Sequence, residues 1–245
     1  MQNKIIHFKT IDSTNTYGLS NFENLPDKTV IIADEQTKGR GRFDRIWVSE
    51  NYDNIYLSFI LKPEKKDYIT NLTQYLSVAT AKTIETYGIT AHIKYPNDVL
   101  VNDKKICGIL CEGSLKKNVL QGIVLGIGIN LNMPKEIIDS IDRPATSLNL
   151  IIGKTIKKED FLNYLLNEFF KNYEKAVESG FSFFKEDYLK RTHFLGKTVW
   201  IQQRDGAPKE EVTALKIDNN GNLVVKTLEN REKIVYSGDV LLKDS

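Results

Sequence analysis

The chain has 245 residues, 41% of them hydrophobic and 27% charged, which is enough apolar sequence for a substantial folded core. Its formal net charge of +2 excludes a global electrostatic attraction to nucleic acid or to an anionic membrane. No apolar run approaches the roughly 20 residues of a membrane helix, and no signal-peptide core follows Met1, so we expect a cytoplasmic protein without a membrane partner.

The first half of the chain combines short β-like runs with two helical signals. Short polar residues at Asp12–Asn15 predict a helix start, because such side chains cap free backbone N–H groups. Apolar positions at helical spacing from Leu72 predict a helix that ends at Gly88. Apolar and β-branched runs predict strands over Ile5–Phe8, Thr29–Ala33, Ile55–Leu61, Ala91–Tyr95, Asp98–Val101 and Ile106–Glu112.

The middle of the chain predicts one irregular β-segment and two helices. Val119–Asn130 is apolar, but the glycines inside it weaken a plain strand, so we predict a mixture of β-structure and turn. Aromatic and leucine positions at helical spacing predict an amphipathic helix over Phe161–Tyr173, and a second helical segment follows over Phe181–Arg191. The order of these elements predicts an α+β fold rather than strict βαβ alternation.

After His193 the pattern changes to short strands with tight turns. Strands are predicted over Lys197–Gln202, Glu211–Ile217, Leu223–Leu228 and Lys233–Tyr236. The dipeptides typical of turns are Asp205-Gly206, Asn220-Gly221 and Ser237-Gly238. Such a segment predicts a small β-barrel appended to the main domain. We therefore predict two domains, residues 1–192 and residues 193–245.

A basic, glycine-rich loop, here called the basic loop, runs from Gln36 to Trp47. It begins Gln-Thr-Lys-Gly-Arg-Gly-Arg, and its four cations against one acidic residue give a local net charge of +3. Glycine lets the backbone approach a ligand closely, and guanidinium groups match phosphate oxygens. The segment is therefore a candidate phosphate-binding loop, although by itself it is also compatible with a basic surface turn.

Four further stretches carry residues that suit a ligand site. Asp12–Asn15 offers hydroxyls and helix N–H groups, although the same residues suit a plain helix cap. Lys94–Asp98 places a cation, an amide and a carboxylate around one proline, which is also ordinary turn chemistry. Lys104-Lys105 precedes a buried β-run, where an ammonium group can enter a pocket or stay in solvent. Gly126–Asn132 suits the close approach of a flat group, or simple strand packing.

The order and spacing of these stretches resemble those of biotin–protein ligases. The matching segments are Ser13-Thr14-Asn15, the basic loop with Trp47, Lys-Tyr-Pro-Asn-Asp from Lys94, Lys-Ile-Cys-Gly-Ile-Leu-Cys-Glu from Lys105 and Gly-Ile-Gly-Ile-Asn-Leu-Asn from Gly126. The match runs from Ile11 to Asn132, and the C-terminal β-segment fits the same family. The resemblance implies a mixed β-sheet flanked by helices, of the class II synthetase-like type, followed by an SH3-like barrel. Because it begins so near the N-terminus, we expect no DNA-binding domain and no DNA partner.

The resemblance implies an ATP-dependent ligase that works in two steps. The biotin carboxylate attacks the α-phosphate of ATP to give biotinyl-5′-adenylate and pyrophosphate, and an acceptor lysine then takes the biotinyl group and releases AMP. Mg²⁺ would accompany ATP. The implied partner is the biotin carboxyl carrier domain of a biotin-dependent carboxylase, and a homodimer is possible.

The resemblance also assigns residues to these steps. The biotin set is Ser13, Thr14, Asn15, Gln36, Gly39, Arg40, Gly41, Arg42, Lys105 and Gly108. The ATP set is Arg40, Arg42, Trp47, Lys94, Asn97 and Asn130, the metal ligand is Asp98, and the catalytic cations are Lys105, Arg40 and Arg42. Lys104 is the rival of Lys105, and only the alignment to Gly108 separates them. The basic loop is expected to order over the intermediate and exclude water.

Two other functions remain open at this point. A lipoate ligase or octanoyl transferase would share the fold, but a thioester transferase needs a nucleophilic cysteine. Cys107 and Cys111 lie in an apolar run without a nearby basic partner, which predicts buried, reduced thiols instead. A nucleic-acid-binding module could use the basic loop and the barrel, but Glu210 and Glu211 give the barrel acidic character that opposes this.

Overall fold

The larger of two β-sheets is built by the first half of the chain. The structure is a computed structural model that describes residues 4–203, 206–236 and 238–242. This sheet has seven strands in the order β1-β2-β3-β7-β6-β5-β4. β1 and β2 are parallel and the other neighbouring strands are antiparallel, so the sheet is mixed. The strands are β1 (Ile5–Ile11), β2 (Thr29–Gln36), β3 (Ile55–Leu61), β4 (His92–Lys94), β5 (Asp98–Val101), β6 (Lys104–Lys116) and β7 (Val119–Ile129).

Helices cover both faces of this sheet. The helices are α1 (Thr14–Ser20), α2 (Leu72–Glu85), α3 (Lys135–Asp139), α4 (Leu148–Ile152), α5 (Lys158–Lys171), α6 (Tyr173–Ser179) and α7 (Phe181–Leu189). Alternate residues of β3 face opposite sides: Phe59 stacks on Phe169 of α5 with ring centroids 4.5 Å apart, whereas Ile60 packs on the α1 side. The predicted α+β fold with a mixed, helix-flanked sheet is confirmed. Within the described ranges, no helix is long and apolar enough to cross a membrane.

The C-terminal residues form a second, antiparallel sheet of five strands in the order β11-β10-β9-β8-β12. Its strands are β8 (Thr198–Gln202), β9 (Lys209–Ile217), β10 (Leu223–Thr227), β11 (Glu232–Val235) and β12 (Asp239–Leu242). Its apolar side chains join the core of the helices, and Tyr95 donates a hydrogen bond to the carbonyl of Val235 over 2.9 Å. The predicted SH3-like domain is confirmed and packs on the first sheet's helices. Asp205 and Ser237, from two predicted turns, lie outside the described residues.

The prediction for Val119–Asn130 is wrong, because residues Val119–Ile129 form one continuous strand, whose pairing with β6 shifts register once, between Leu120 and Gly122. The glycines do not break the strand. They are required there because neighbouring groups occupy the space that a side chain would need. A Cβ on Gly122 would lie 2.3 Å from the carbonyl oxygen of Leu61, and a Cβ on Gly126 would lie 2.1 Å from Oδ1 of Asn15. These glycines therefore mark close packing rather than turns.

The sequence also missed or merged several helices and one strand. The helix predicted through Tyr173 is two helices, α5 and α6, separated at Asn172. The short helices α3 and α4 and the strand β12 were not predicted, and a helix of five residues is too short to show a helical period. β12 matters most, since it carries Asp239, which lines a cavity formed together with residues of the first sheet.

Candidate active site

A cavity of about 540 Å³ lies where α1, the basic loop, the β6–β7 hairpin and β12 meet. Its residues come from both sheets, so the two parts of the chain build it together. The predicted site residues that line it are Ser13, Thr14, Asn15, Gln36, Arg40, Gly41, Arg42, Trp47, Asn97, Asp98, Lys105, Gly108 and Asn130. Gly39 and Lys94 do not line it. The structure thus brings most of the predicted site into one place, while the roles of these residues stay predictions.

One end of the cavity is closed by uncharged polar groups at the start of α1. Ser13 caps the helix by accepting a hydrogen bond from the backbone N–H of Thr16. The backbone N–H of Thr14 donates to Oε1 of Gln36 over 2.8 Å, and Nε2 of Gln36 donates to Oγ of Ser49 over 3.0 Å. Thr14 and Gln36 are therefore held side by side although they are far apart in the sequence. This end suits a neutral ligand group with its own donors and acceptors.

Trp47 fills the space above two glycines of the β6–β7 hairpin. A Cβ on Gly128 would lie 2.3 Å from Nε1 of Trp47, and one on Gly108 would lie 2.9 Å from its ring. Any larger residue at these positions would displace the indole. The glycines in this hairpin suggested that a flat group approaches the strand closely. In this structure that flat group is the indole ring of Trp47.

The basic loop is folded back on itself over the cavity. Arg40 and Ile46 form an antiparallel bridge, and a Cβ on Gly39 would lie 2.3 Å from Oγ of Ser49. Gly39 thus serves the close return of the loop. Phe43, at the tip, has a left-handed backbone with φ of 59°, and the guanidinium groups of Arg42 and Arg45 lie 4.9 and 5.3 Å from its ring centre.

Each of three arginines on the loop is paired with a carboxylate from another element. Arg40 contacts both carboxylate oxygens of Glu112, on β6, at 2.9 and 3.1 Å. Arg45 lies 2.7 Å and Arg42 lies 3.5 Å from Asp239, on β12. The loop is therefore fastened electrostatically to the first sheet and to the C-terminal sheet.

Two amides tie the cavity floor together. Nδ2 of Asn97 donates to the carbonyl of Ile109, and its Oδ1 accepts from Arg42 over 3.2 Å. Nδ2 of Asn130 donates to the carbonyl of Thr146 over 3.0 Å. One of the two amide hydrogens of Asn130 is therefore used, which leaves its second N–H and its oxygen for other partners.

The lysine pair is separated by the structure. Nζ of Lys105 lies 2.6 Å from Oδ1 of Asp98 and 5.4 Å from the Trp47 ring centre, at the cavity wall. Lys104 is exposed and does not line the cavity. Burial would raise the pKa of Asp98, but the charges of Lys105 and then Lys94 hold it below its usual value. The geometry favours Lys105 as the cation that serves the cavity.

Several lining residues were not found from the sequence. They are Arg45, Asp239, Ile46 and the segment 140–145. The backbone of Lys105 places that segment, since its N–H donates to the carbonyl of Pro144 and its carbonyl accepts from Thr146, both over 2.9 Å. Arg143, on the same segment, lies 3.9 Å from Asp239. Arg45 gave a sequence signal as one of the four cations of the basic loop, whereas Asp239 and the segment 140–145 gave none.

Neither a metal centre nor a reactive thiol is built into this part of the molecule. Among the residues described, no three His, Cys, Asp or Glu side chains are grouped to hold a metal ion. Asp98, the predicted metal ligand, instead faces Lys105 and, at 3.7 Å, Lys94. Burial raises the pKa of the Cys111 thiol to about 11 and that of Cys107 still further, so neither is a ready nucleophile.

Comparisons with known proteins agree on one family. The family model "Biotin/lipoate A/B protein ligase family" matches residues 7–130, and "Biotin protein ligase C terminal domain" matches residues 194–243. The chain is 34% identical to the bifunctional ligase/repressor BirA of Bacillus subtilis, over 99% of this chain and 75% of that protein. It is 29% identical to the biotin–[acetyl-CoA-carboxylase] ligase of Paracoccus denitrificans, over 91% of this chain and 94% of that protein. The biotin protein ligase of Aquifex aeolicus in complex with biotin and ATP matches the fold with a TM-score of 0.80 at 31% identity, over 98% of both chains.

We predict that Lys105→Met raises the pKa of Asp98, whereas Lys104→Met leaves it unchanged. The reason is that Lys105 supplies the nearest positive charge to this carboxylate, whereas Lys104 is not among the cations that lower the pKa of Asp98. Titration of the Asp98 carboxyl carbon by NMR, assigned with Asp98→Asn, measures both variants. A larger shift in Lys104→Met than in Lys105→Met would contradict the placement of the two lysines.

The same pairing has a consequence for stability. The pKa of Asp98 is lower in the folded protein than in the unfolded chain, so its ionised form stabilises the fold above the unfolded value of about 4. That contribution is lost as the pH falls through the folded-state pKa. In Lys105→Met the loss should begin at higher pH, which urea unfolding between about pH 3 and 6 would detect.

Proposed function

The chain belongs to the biotin/lipoate A/B protein ligase family, as a biotin–protein ligase, and from this premise we propose that the cavity is where biotin is activated and transferred. The observation that carries the proposal is that one cavity is lined both by uncharged polar groups, from Ser13, Thr14 and Gln36, and by the cations Arg40, Arg42 and Lys105. Biotin joined to a nucleotide combines the matching groups, a neutral ureido ring and a phosphate that carries adenosine. The reaction is an ATP-dependent ligation to an acceptor protein.

The chemistry proceeds by two displacements. In the first, a carboxylate oxygen of biotin forms a bond to the α-phosphorus of ATP, and the bond to the β-phosphate breaks to release pyrophosphate. In the second, the ε-amine of the acceptor lysine attacks the acyl carbon, loses a proton, and expels AMP. Both steps develop negative charge on phosphate oxygens, so they need fixed positive charge nearby.

The cations at the mouth of the cavity can supply that charge. We propose that Lys105 lies against the biotin carboxylate and the α-phosphate, with Arg40 and Arg42 on the remaining phosphate oxygens. Support comes from the position of all three side chains on the cavity wall. Asp98 then acts on Lys105, which it contacts at 2.6 Å, and holds the ammonium group in place.

The closed end of the cavity is proposed to bind the ureido ring. Ser13, Thr14 and Gln36 bring hydroxyl, amide and backbone groups together there. Trp47, the last residue of the basic loop, lies beside Gly108 and Gly128, where it can pack on the ligand. We further propose that Asn97 and Asn130 contact the nucleotide. Lys94 lies outside the cavity lining but 3.7 Å from Asp98, so we propose that it affects the site through Asp98.

Mg²⁺ is proposed to arrive with the triphosphate rather than at a site built by the protein. The described residues do not fit a prepared magnesium site, because the one predicted ligand, Asp98, faces two lysines. Magnesium commonly takes most of its ligands from nucleotide phosphates and water. We derive no step of the reaction through the metal.

The acceptor is proposed to be a biotin carboxyl carrier domain. One feature that supports a docking surface is the outer edge of β6, which pairs with β5 only as far as Gly108. Residues 109–116 have no strand partner on that edge within the part of the chain described, so a strand of the acceptor or of a second copy could add there. A reducing, cytoplasmic location is proposed from the two free cysteines.

A lipoate ligase is the alternative within the same family. It is separated from the proposal by one assay, in which the protein is incubated with ATP, Mg²⁺ and either biotin, lipoate or octanoate, and the adenylates are identified by mass. We expect biotinyl-adenylate in the presence of biotin and no comparable product with the other two acids. Adenylates of lipoate or octanoate in the absence of biotinyl-adenylate would overturn the proposal.

Lys105→Ala should reduce adenylate formation by about 10²–10³-fold, because removing one preorganised charge from a transition state has an effect of this order. Lys104→Ala is the matched control and should stay within about twofold of the unmodified protein. Pyrophosphate release measures the rate, and circular dichroism checks the fold. Normal turnover in Lys105→Ala together with a loss of turnover in Lys104→Ala would show that the catalytic lysine is Lys104 and not Lys105.

Asp239→Asn should accelerate the escape of biotinyl-adenylate by roughly tenfold, because the basic loop loses its charged attachment to β12. Glu210→Gln is the control: it removes a carboxylate that pairs with Lys233 in the same sheet but touches nothing in the cavity. Dissociation of labelled adenylate into an excess of unlabelled biotin and ATP gives the rate. Equal retention in both variants would show that Asp239 does not hold the loop closed.

A further inference from the structure

A hydroxyl group is buried in the most apolar strand of the large sheet. Ser58 is fully buried on β3, and the other six residues of that strand are apolar or aromatic and equally buried. Burying a hydroxyl without a hydrogen bond is unfavourable, and Ser58 has two hydrogen-bond partners. Oγ of Ser58 lies 2.6 Å from Oδ1 of Asn15 and 2.7 Å from Oγ1 of Thr14. Both partners belong to α1 and line the closed end of the cavity.

The direction of the first contact is set by Asn15. Its amide nitrogen lies 2.8 Å from a carboxylate oxygen of Glu112 and 3.3 Å from the carbonyl of Leu110. Both of these groups accept hydrogen bonds, and Glu112 is kept in that role by its ion pair with Arg40. The nitrogen of Asn15 must therefore face Glu112, and the oxygen must face Ser58. An amide oxygen carries no proton, so Ser58 donates to Asn15.

The direction of the second contact follows from the first. Ser58 has one proton and has given it to Asn15, so it can only accept from Thr14. The proton of Thr14 is therefore directed away from the cavity, toward Ser58. The remaining contact of the Thr14 hydroxyl, 3.2 Å to Oε1 of Gln36, is longer than the 2.7 Å contact with Ser58, and no proton is left for it because the single hydroxyl proton of Thr14 is directed to Ser58.

We propose that Ser58 is a specificity-determining positioning residue, which leaves the Thr14 hydroxyl able only to accept a hydrogen bond from the ligand. This rests on the proposed function, because the ureido ring of biotin has N–H groups that can donate to Thr14. The dithiolane ring of lipoate has none. A site whose buried acceptor needs a donor discriminates strongly against a ligand that lacks one.

The test compares Ser58→Ala with Ser77→Ala. Ser77 is equally buried, on α2, and its hydroxyl donates to the carbonyl of Gln74, away from the cavity. In Ser58→Ala the Thr14 proton is released and can face the ligand, so we expect the KM for biotin to rise about tenfold. The KM for ATP and kcat should stay within about twofold, and Ser77→Ala should change none of the three constants.

Lipoic acid, used as a competitor, supplies a second readout. Its inhibition constant should be the same in the wild type and in Ser58→Ala, so the preference for biotin over lipoic acid should fall about tenfold. In a Thr14→Val background, Ser58→Ala should have no further effect on the KM for biotin, because the group it orients is gone. Ser58→Cys, which replaces the hydroxyl with a weak donor, provides the same comparison should Ser58→Ala fail to fold.

The outcomes separate this inference from the function on which it rests. A wild-type protein that forms no biotinyl-adenylate would refute the proposed function. An active wild type with an unchanged biotin KM in Ser58→Ala would refute the role of Ser58 alone. Equal losses for biotin and ATP, or an effect that persists in Thr14→Val, would show that Ser58 only stabilises the fold.

Discussion

Three carboxylates hold the cations that surround the cavity. Glu112 pairs with Arg40, Asp98 with Lys105, and Asp239 with Arg45 and Arg42. Each carboxylate comes from a different strand, so all of these ion pairs form only when both sheets are in place. Partly buried cations without such partners would repel one another and resist folding. The four cations outnumber the three carboxylates, so a polyanionic ligand can bind them while these carboxylates stay in place.

The pairing of Asp239 with Arg45 and Arg42 explains why the C-terminal sheet belongs to the site. Asp239 lies on the last described strand, yet it contacts the basic loop and lies 3.9 Å from Arg143 on the opposite rim. The sheet is fixed by shared core packing and by hydrogen bonds from Tyr95 and Gln74. Movement of the sheet would therefore move the anion that two loop arginines face. A lid over a reactive anhydride needs an attachment of this kind, because escape or hydrolysis of the intermediate would waste ATP.

Much of this arrangement could be predicted from the sequence, because local patterns encode it. The strands of the first sheet, the helix from Leu72, the basic loop and most lining residues follow from periodicity, from glycine placement and from the spacing of motifs. The continuous strand β7 could not be predicted, since the role of Gly122 and Gly126 depends on Leu61 and Asn15, which lie elsewhere in the chain. Asp239, the segment 140–145 and Ser58 were missed for the same reason. Their importance comes from long-range contacts, and in the sequence they look like an ordinary turn residue, a loop and a strand residue.

The proposed function requires that this cavity couples biotin to the α-phosphate of ATP. The most direct measurement is the exchange of labelled pyrophosphate into ATP in the absence of any acceptor protein. Because the first step is reversible and needs both substrates bound together, we predict exchange that depends strictly on biotin and is not supported by lipoate or octanoate. Exchange that proceeds without biotin, or equally well with either of the other acids, would contradict it.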